Sequence, residues 1–204
     1  WRNPGDAGYP PEINFENNEN LSEIKWFWPA PKRFIFENMQ NFGYEKKIIF
    51  PITATVKTTK EPLVLQANIT ALACKDICIP IDGDLNLTIP VGNPVKTEHA
   101  ASIYSFEKRV PTKATWPGFK ILSVNANKNS ILIKVKSKHP LIKPDVFIES
   151  ENGFRFGKPE VSISNNRLNA SFILSNDIPI GTNLAGIPIT ITVVDGKKSI
   201  EVRR

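Results

Sequence analysis

Two residue types that carry much of protein chemistry are almost missing from this chain. In 204 residues there are 2 cysteines, Cys74 and Cys78, and 2 histidines, His99 and His139. Zinc asks for four ligands, and both histidines lie far from the cysteines in sequence, so no zinc site is expected. Each histidine reads instead as a surface residue near a turn. Long apolar runs are missing too, none approaching the roughly 18 residues a membrane helix needs. No stripe of basic residues interleaved with aromatics is present, which argues against nucleic-acid binding. No sequence repeat relates the two halves. No secretory leader is visible either, because the chain opens on Trp1-Arg2-Asn3-Pro4. A mature or trimmed chain would look the same, so this says nothing against export.

What is present is alternation. Pro (17) and Gly (11) are spread through the chain, as suits many short strands and turns. Leu63, Leu65, Ala67 and Ile69 alternate with Val64, Gln66, Asn68 and Thr70. The same period of two runs through Leu85, Leu87, Ile89 and Val91, then Leu168, Ala170, Phe172 and Leu174, then Ile187, Ile189, Ile191 and Val193. Side chains alternate faces along a strand, so each run offers one apolar face to a core. Turn signals separate them at Asp82-Gly83-Asp84, Glu151-Asn152-Gly153, Asn165-Asn166 and Asp195-Gly196. Length allows one large core or two small ones.

The strand pattern breaks between Gly92 and Gly118, where Glu98 to Arg109 reads as a short helix followed by Pro111 and Pro117. The fold class expected is therefore all-β, with two immunoglobulin-like β-sandwich domains joined by a short helical connector. The domains run over 1–92, carrying the cysteine pair, and 118–204, with the connector at 93–117. Charge divides along similar lines. Residues 1–95 hold 9 Lys/Arg against 11 Asp/Glu (net −2), and residues 96–204 hold 17 against 9 (net +8). A basic half could sit near anionic lipid or an acidic partner. Lys134, Lys136 and Lys138 lie on alternate positions of a strand, however, the pattern of a solvated sheet face.

Ala71-Leu72-Ala73-Cys74-Lys75-Asp76-Ile77-Cys78-Ile79-Pro80 is the segment that promises chemistry. A purely structural disulfide is one reading, yet a loop of about five residues stabilises by only about 2 kcal/mol, against nearly 5 for a loop of about 100. Copper(I), a soft ion that accepts few ligands, is a second reading. Thiol–disulfide exchange is the third, since the pair supplies both an attacking thiolate and a resolving thiol. Lys75 favours a thiolate and Asp76 opposes it, so reactivity should depend on access, with something covering the pair between partners.

In combination, several stretches resemble the N-terminal periplasmic domain of the bacterial DsbD/ScsB thiol:disulfide interchange proteins, in the alphaproteobacterial variant with three residues between the cysteines. They are Trp1 to Pro11, Trp28-Pro29-Ala30-Pro31-Lys32-Arg33-Phe34, Gly43-Tyr44, and Cys74 to Pro80. The second half looks like the additional β-domain of ScsB-type proteins, by pattern more than by motif. The resemblance implies an immunoglobulin-like fold whose pair passes electrons in a periplasm, as a component of a protein-disulfide reductase. A membrane electron donor of the DsbD/CcdA type would reduce the pair, and oxidised thioredoxin-like periplasmic proteins would receive the electrons. No cofactor, metal or small-molecule substrate is implied. Carried over, Cys78 exchanges, Cys74 resolves, and Trp28 and Phe34 fall where the family's cap shields the pair. The best-known members have five residues between the cysteines and an acidic cap, whereas here Lys32 and Arg33 stand beside the aromatics. A binding module for copper or a protein, with an inert disulfide, is the competing reading.

Overall fold

The computed structural model describes every residue except 37, 75–76, 114–117, 128 and 177–186. The chain divides into two compact units, Trp1–Glu107 and Lys108–Arg204.

In the first unit, β1 (Glu12–Phe15), β6 (Leu63–Cys74) and β7 (Cys78–Ile89) form a three-stranded antiparallel sheet in the order β1-β6-β7. Two antiparallel pairs accompany it: β2 (Leu21–Trp26) with β5 (Ile52–Val56), and β3 (Lys32–Phe36) with β4 (Met39–Gly43). The helix α1 (Ala100–Glu107) follows, inside the segment expected to be helical. Residues 1–11 carry no strand beyond an isolated bridge between Gly5 and Asn41. Asn20, at φ 56, is buried and ties its neighbourhood together. Its side-chain amide donates to the Thr58 and Glu61 carbonyls at 2.8 Å each and accepts from the Thr58 N–H at 2.9 Å.

One expectation is corrected here. Asp82-Gly83-Asp84 is no turn but the middle of β7, where Gly83 sits opposite Ile69. The chain reverses between Cys74 and Cys78 instead, which face each other across the two strands. A Cβ placed on Gly83 would lie 3.6 Å from Ile69 Cγ2, an ordinary contact, and Gly83 has no positive φ. Glycine is compatible with turns but does not compel one.

The second unit packs two four-stranded sheets. One runs β12 (Glu160–Ile163), β13 (Asn169–Ser175), β10 (Ser130–Ser137), β9 (Phe119–Ala126). The other runs β11 (Pro144–Ser150), β14 (Ile189–Asp195), β15 (Lys198–Arg203), β8 (Thr112–Lys113). One apolar cluster joins them, with Ile131, Ile133, Val135, Ala170, Phe172 and Leu174 from the first and Val146, Ile148, Ile191, Val193 and Ile200 from the second. The alternation read along 168–174 and 187–193 thus becomes the core of a sandwich. Lys134 and Lys136 point outward from β10, as a solvated face requires. The turns at Glu151–Asn152, Asn165–Asn166 and Gly196 fall where turn residues announce them.

Candidate functional site

The hairpin of β6 and β7 builds the site. Its register is continuous for twelve pairs, from Leu63 opposite Ile89 to Cys74 opposite Cys78. Which pairs exchange hydrogen bonds follows from the other side of β6. The Val64 N–H donates to the Glu19 carbonyl at 3.2 Å and its carbonyl accepts from the Glu19 N–H at 3.1 Å; the Gln66 carbonyl accepts from the Glu16 N–H at 3.1 Å. Even-numbered residues of β6 therefore aim their backbone away from β7, and the odd ones bond to it. Cys74 and Cys78 form a non-hydrogen-bonded pair, the kind in which opposed residues approach most closely, near 4.5 Å. Their Cα atoms are 4.0 Å apart and the sulfurs are joined in a disulfide. Leu72 and Pro80 form the next pair of this kind. The N–H that Pro80 lacks is thus one that would have faced outward, so the proline leaves the hairpin ladder whole.

Both cysteines are exposed. They lie on the face that carries Thr70, Asn68, Asp82 and Asp84, with the Asn68 side-chain amide donating to Asp84 Oδ1 at 3.1 Å. The opposite face is apolar, and on β6 it is buried at Leu63 and Ala67. Lys75 and Asp76, whose charges bear on the thiolate, lie outside the described residues.

Trp28, expected from its place in the chain to shield the pair, belongs to an aromatic cluster. Its ring stacks on Trp26 with centroids 4.3 Å apart and meets Phe50 at 5.2 Å. Tyr44 joins through Phe50 at 5.5 Å, and its hydroxyl donates to the Pro29 carbonyl at 2.8 Å. Pro29 and Pro31 are buried, which anchors the segment leading into β3. Phe34 is half-buried on β3 opposite Asn41. The two basic residues of this segment are engaged locally. Lys32 Nζ donates to Glu45 Oε2 at 2.8 Å, and that hydrogen bond, with the lysine's charge, holds the Glu45 carboxyl below its usual range. The Arg33 guanidinium lies 4.8 Å from the Phe42 ring centroid and donates to Gln40. Sequence reasoning missed Tyr44 and Phe50 as members of this cluster; aromatic residues flanking Trp28 were the available signal.

His99 and His139 are exposed and distant in sequence from the pair. Among the described residues, no three His, Cys, Asp or Glu side chains gather as a metal site would require. Nor is any described helix long and apolar enough to cross a membrane.

A β-sheet unit that holds a disulfide between directly opposed, exposed residues at a hairpin tip belongs to the class of domains able to present a dithiol to other proteins. Residues 1–90 match the family model described as "Thiol:disulfide interchange protein DsbD, N-terminal", and this part of the chain is a domain of that family, a thiol–disulfide interchange module. Residues 109–204 match a model described as "Domain of unknown function (DUF8393)". Among solved structures, the N-terminal periplasmic domain of ScsB from Proteus mirabilis superposes with a TM-score of 0.76, covering 100% of this chain and 80% of that one at 22% identity. That likeness establishes the all-β, immunoglobulin-like fold. No curated protein matches the chain.

Proposed function

We propose that this chain is a periplasmic electron relay. A membrane donor of the DsbD/CcdA type reduces the Cys74–Cys78 bond, and the resulting dithiol reduces disulfides of thioredoxin-like periplasmic proteins. In the forward step the Cys78 thiolate attacks one sulfur of the partner's disulfide. A mixed disulfide forms and the partner's other sulfur leaves as thiolate. Cys74, as thiolate, then attacks Cys78, restoring the intramolecular bond and releasing the second partner thiolate. Two electrons pass to the partner, and two protons leave the dithiol. Trp28 and Phe34 are assigned to limiting access to the reduced pair, which local charge alone would leave unselective.

The observation that carries this reading is the exposed, directly opposed pair at the end of a strand hairpin. Such a bond opens without moving the rest of the fold, and as a staple it contributes only about 2 kcal/mol. Expression of single-cysteine variants in a periplasm is the test. Cys74→Ser, an attacker without a resolver, should accumulate a covalent, reductant-sensitive complex with a thioredoxin-like partner on non-reducing gels. Cys78→Ser should trap far less. Neither change should unfold the protein, because about 2 kcal/mol is small against a typical total of roughly 5–15. Equal absence of adducts with partners confirmed present, and loss of stability as the main effect, would defeat the relay.

A further inference from the structure

We infer that the open edge of β7 receives an extended segment of the oxidised protein partner, which adds to the sheet beside Cys78 and is selected by basic residues facing Asp82 and Asp84. This rests on the relay reading and specifies how its substrate is gripped. β7 closes the order β1-β6-β7, and no described strand lies beyond it. Its odd-numbered residues bond to β6, so the backbone groups of Cys78, Asp82, Asp84, Asn86 and Thr88, with the Pro80 carbonyl, point to the open side. A free edge of this length is a template for another strand. Cys78 begins it, so a partner joined through Cys78 already has backbone within reach.

Side chains then choose the occupant. On the Cys78 face of β7, Asp82 and Asp84 are exposed. On the other face stands a row of apolar residues with large exposure: Ile79 57%, Ile81 49%, Leu85 49%, Leu87 55% and Ile89 47%. An antiparallel segment whose cysteine lies opposite Cys78 sets its residues four and six places earlier against Asp82 and Asp84, which follow Cys78 by the same intervals. Lys or Arg fits there, with apolar residues between to continue the exposed row. A second copy fits poorly. Antiparallel pairing of β7 with itself about Gly83 would set Asp82 against Asp84 of the second copy, and directly opposed like charges destabilise a sheet. Pro80, without an N–H on the open side, removes one bond from a partner strand added there and two from a self-paired β7, where it occurs in both copies.

Short synthetic peptides test this on the full, reduced chain. Each carries one cysteine as a mixed disulfide with thionitrobenzoate, so attack by Cys78 releases a coloured thiolate and resolution by Cys74 frees the peptide thiol. The peptide with Lys four and six residues before its cysteine and apolar residues between should react roughly tenfold faster than its Glu counterpart, a barrier difference of about 1.4 kcal/mol. Backbone N-methylation at the positions that bond to β7 should remove the gain. The double variant Asp82→Lys/Asp84→Lys should reverse the order, the Lys and Glu peptides being compared with each other on the same protein. Equal rates for Lys, Glu and N-methylated peptides, with glutathione disulfide still reacting, would overturn the docking inference and leave the relay standing. Failure of the reduced pair to react with any peptide or with glutathione disulfide would overturn the relay itself.

Discussion

A disulfide between neighbours on opposed strands makes its two sulfurs unequal mainly through what surrounds each one. Cys78 begins β7, which borders an open sheet edge, and Cys74 ends β6, whose pairing with β1 stops four residues earlier at Thr70. Access is the remaining control, and Trp28 and Phe34 can be tested separately because they are held differently. Trp28 is locked by Trp26 and Phe50, so its removal disturbs a cluster; Phe34, half-buried on β3, is the cleaner probe. If it limits access, Phe34→Ala should raise the rate at which glutathione disulfide oxidises the reduced pair by about threefold or more, roughly 0.65 kcal/mol off the barrier. A stopped-flow rate equal to that of the unaltered protein would remove Phe34 from the shield. The cysteines themselves were legible from the sequence because no other thiol exists. The aromatic neighbours of Trp28 were not, since Tyr44 and Phe50 reach it only through the folding of β3, β4 and the chain after them.

At the scale of elements, the hairpin decides the site. Alternation marks β6 and much of β7 in the sequence, because side chains alternate faces whatever the neighbours are. The turn signal at Asp82-Gly83-Asp84 misleads, since a glycine flanked by aspartates, though favoured in turns, can still be held extended in an edge strand. What prevails is the pairing of twelve residues with β6 and closure at the cysteines. Because Gly83 adopts no positive φ and a Cβ there meets Ile69 at ordinary distance, Gly83→Ala should not break the hairpin. It should be stabilising by up to about 0.5–1 kcal/mol, through the smaller entropy loss of alanine. Urea denaturation checks this, and a loss of more than about 1 kcal/mol would mean that Gly83 serves a backbone need the register does not reveal. β2 to β5 were harder to read: they are short, and all but β4 hold no residue fully buried, so one face barely differs from the other.

The whole molecule separates its tasks between units. The second has a continuous core of fully buried residues joining two sheets, while the first carries the chemistry on a strand that is almost entirely exposed. A core change in the second unit should therefore leave exchange alone. Ile191→Val, at a position with 0% exposure, should cost the second unit about 0.5–1.5 kcal/mol and lower its transition by several degrees. The rate of oxidation of the dithiol by glutathione disulfide should not change; a parallel fall would show that the second unit supports the site. Sequence by itself determined the all-β class, the alternating faces of β10 and β13 and the identity of the only possible crosslink. Those follow from chemistry that is local, namely the period of two and the scarcity of thiols. Tertiary structure alone decided that Leu85, Leu87 and Ile89 remain exposed while Ala170, Phe172 and Leu174 are buried. The two rows read alike in sequence; Ala170, Phe172 and Leu174 join the cluster shared with the facing sheet, whereas the apolar face of β7 is left uncovered.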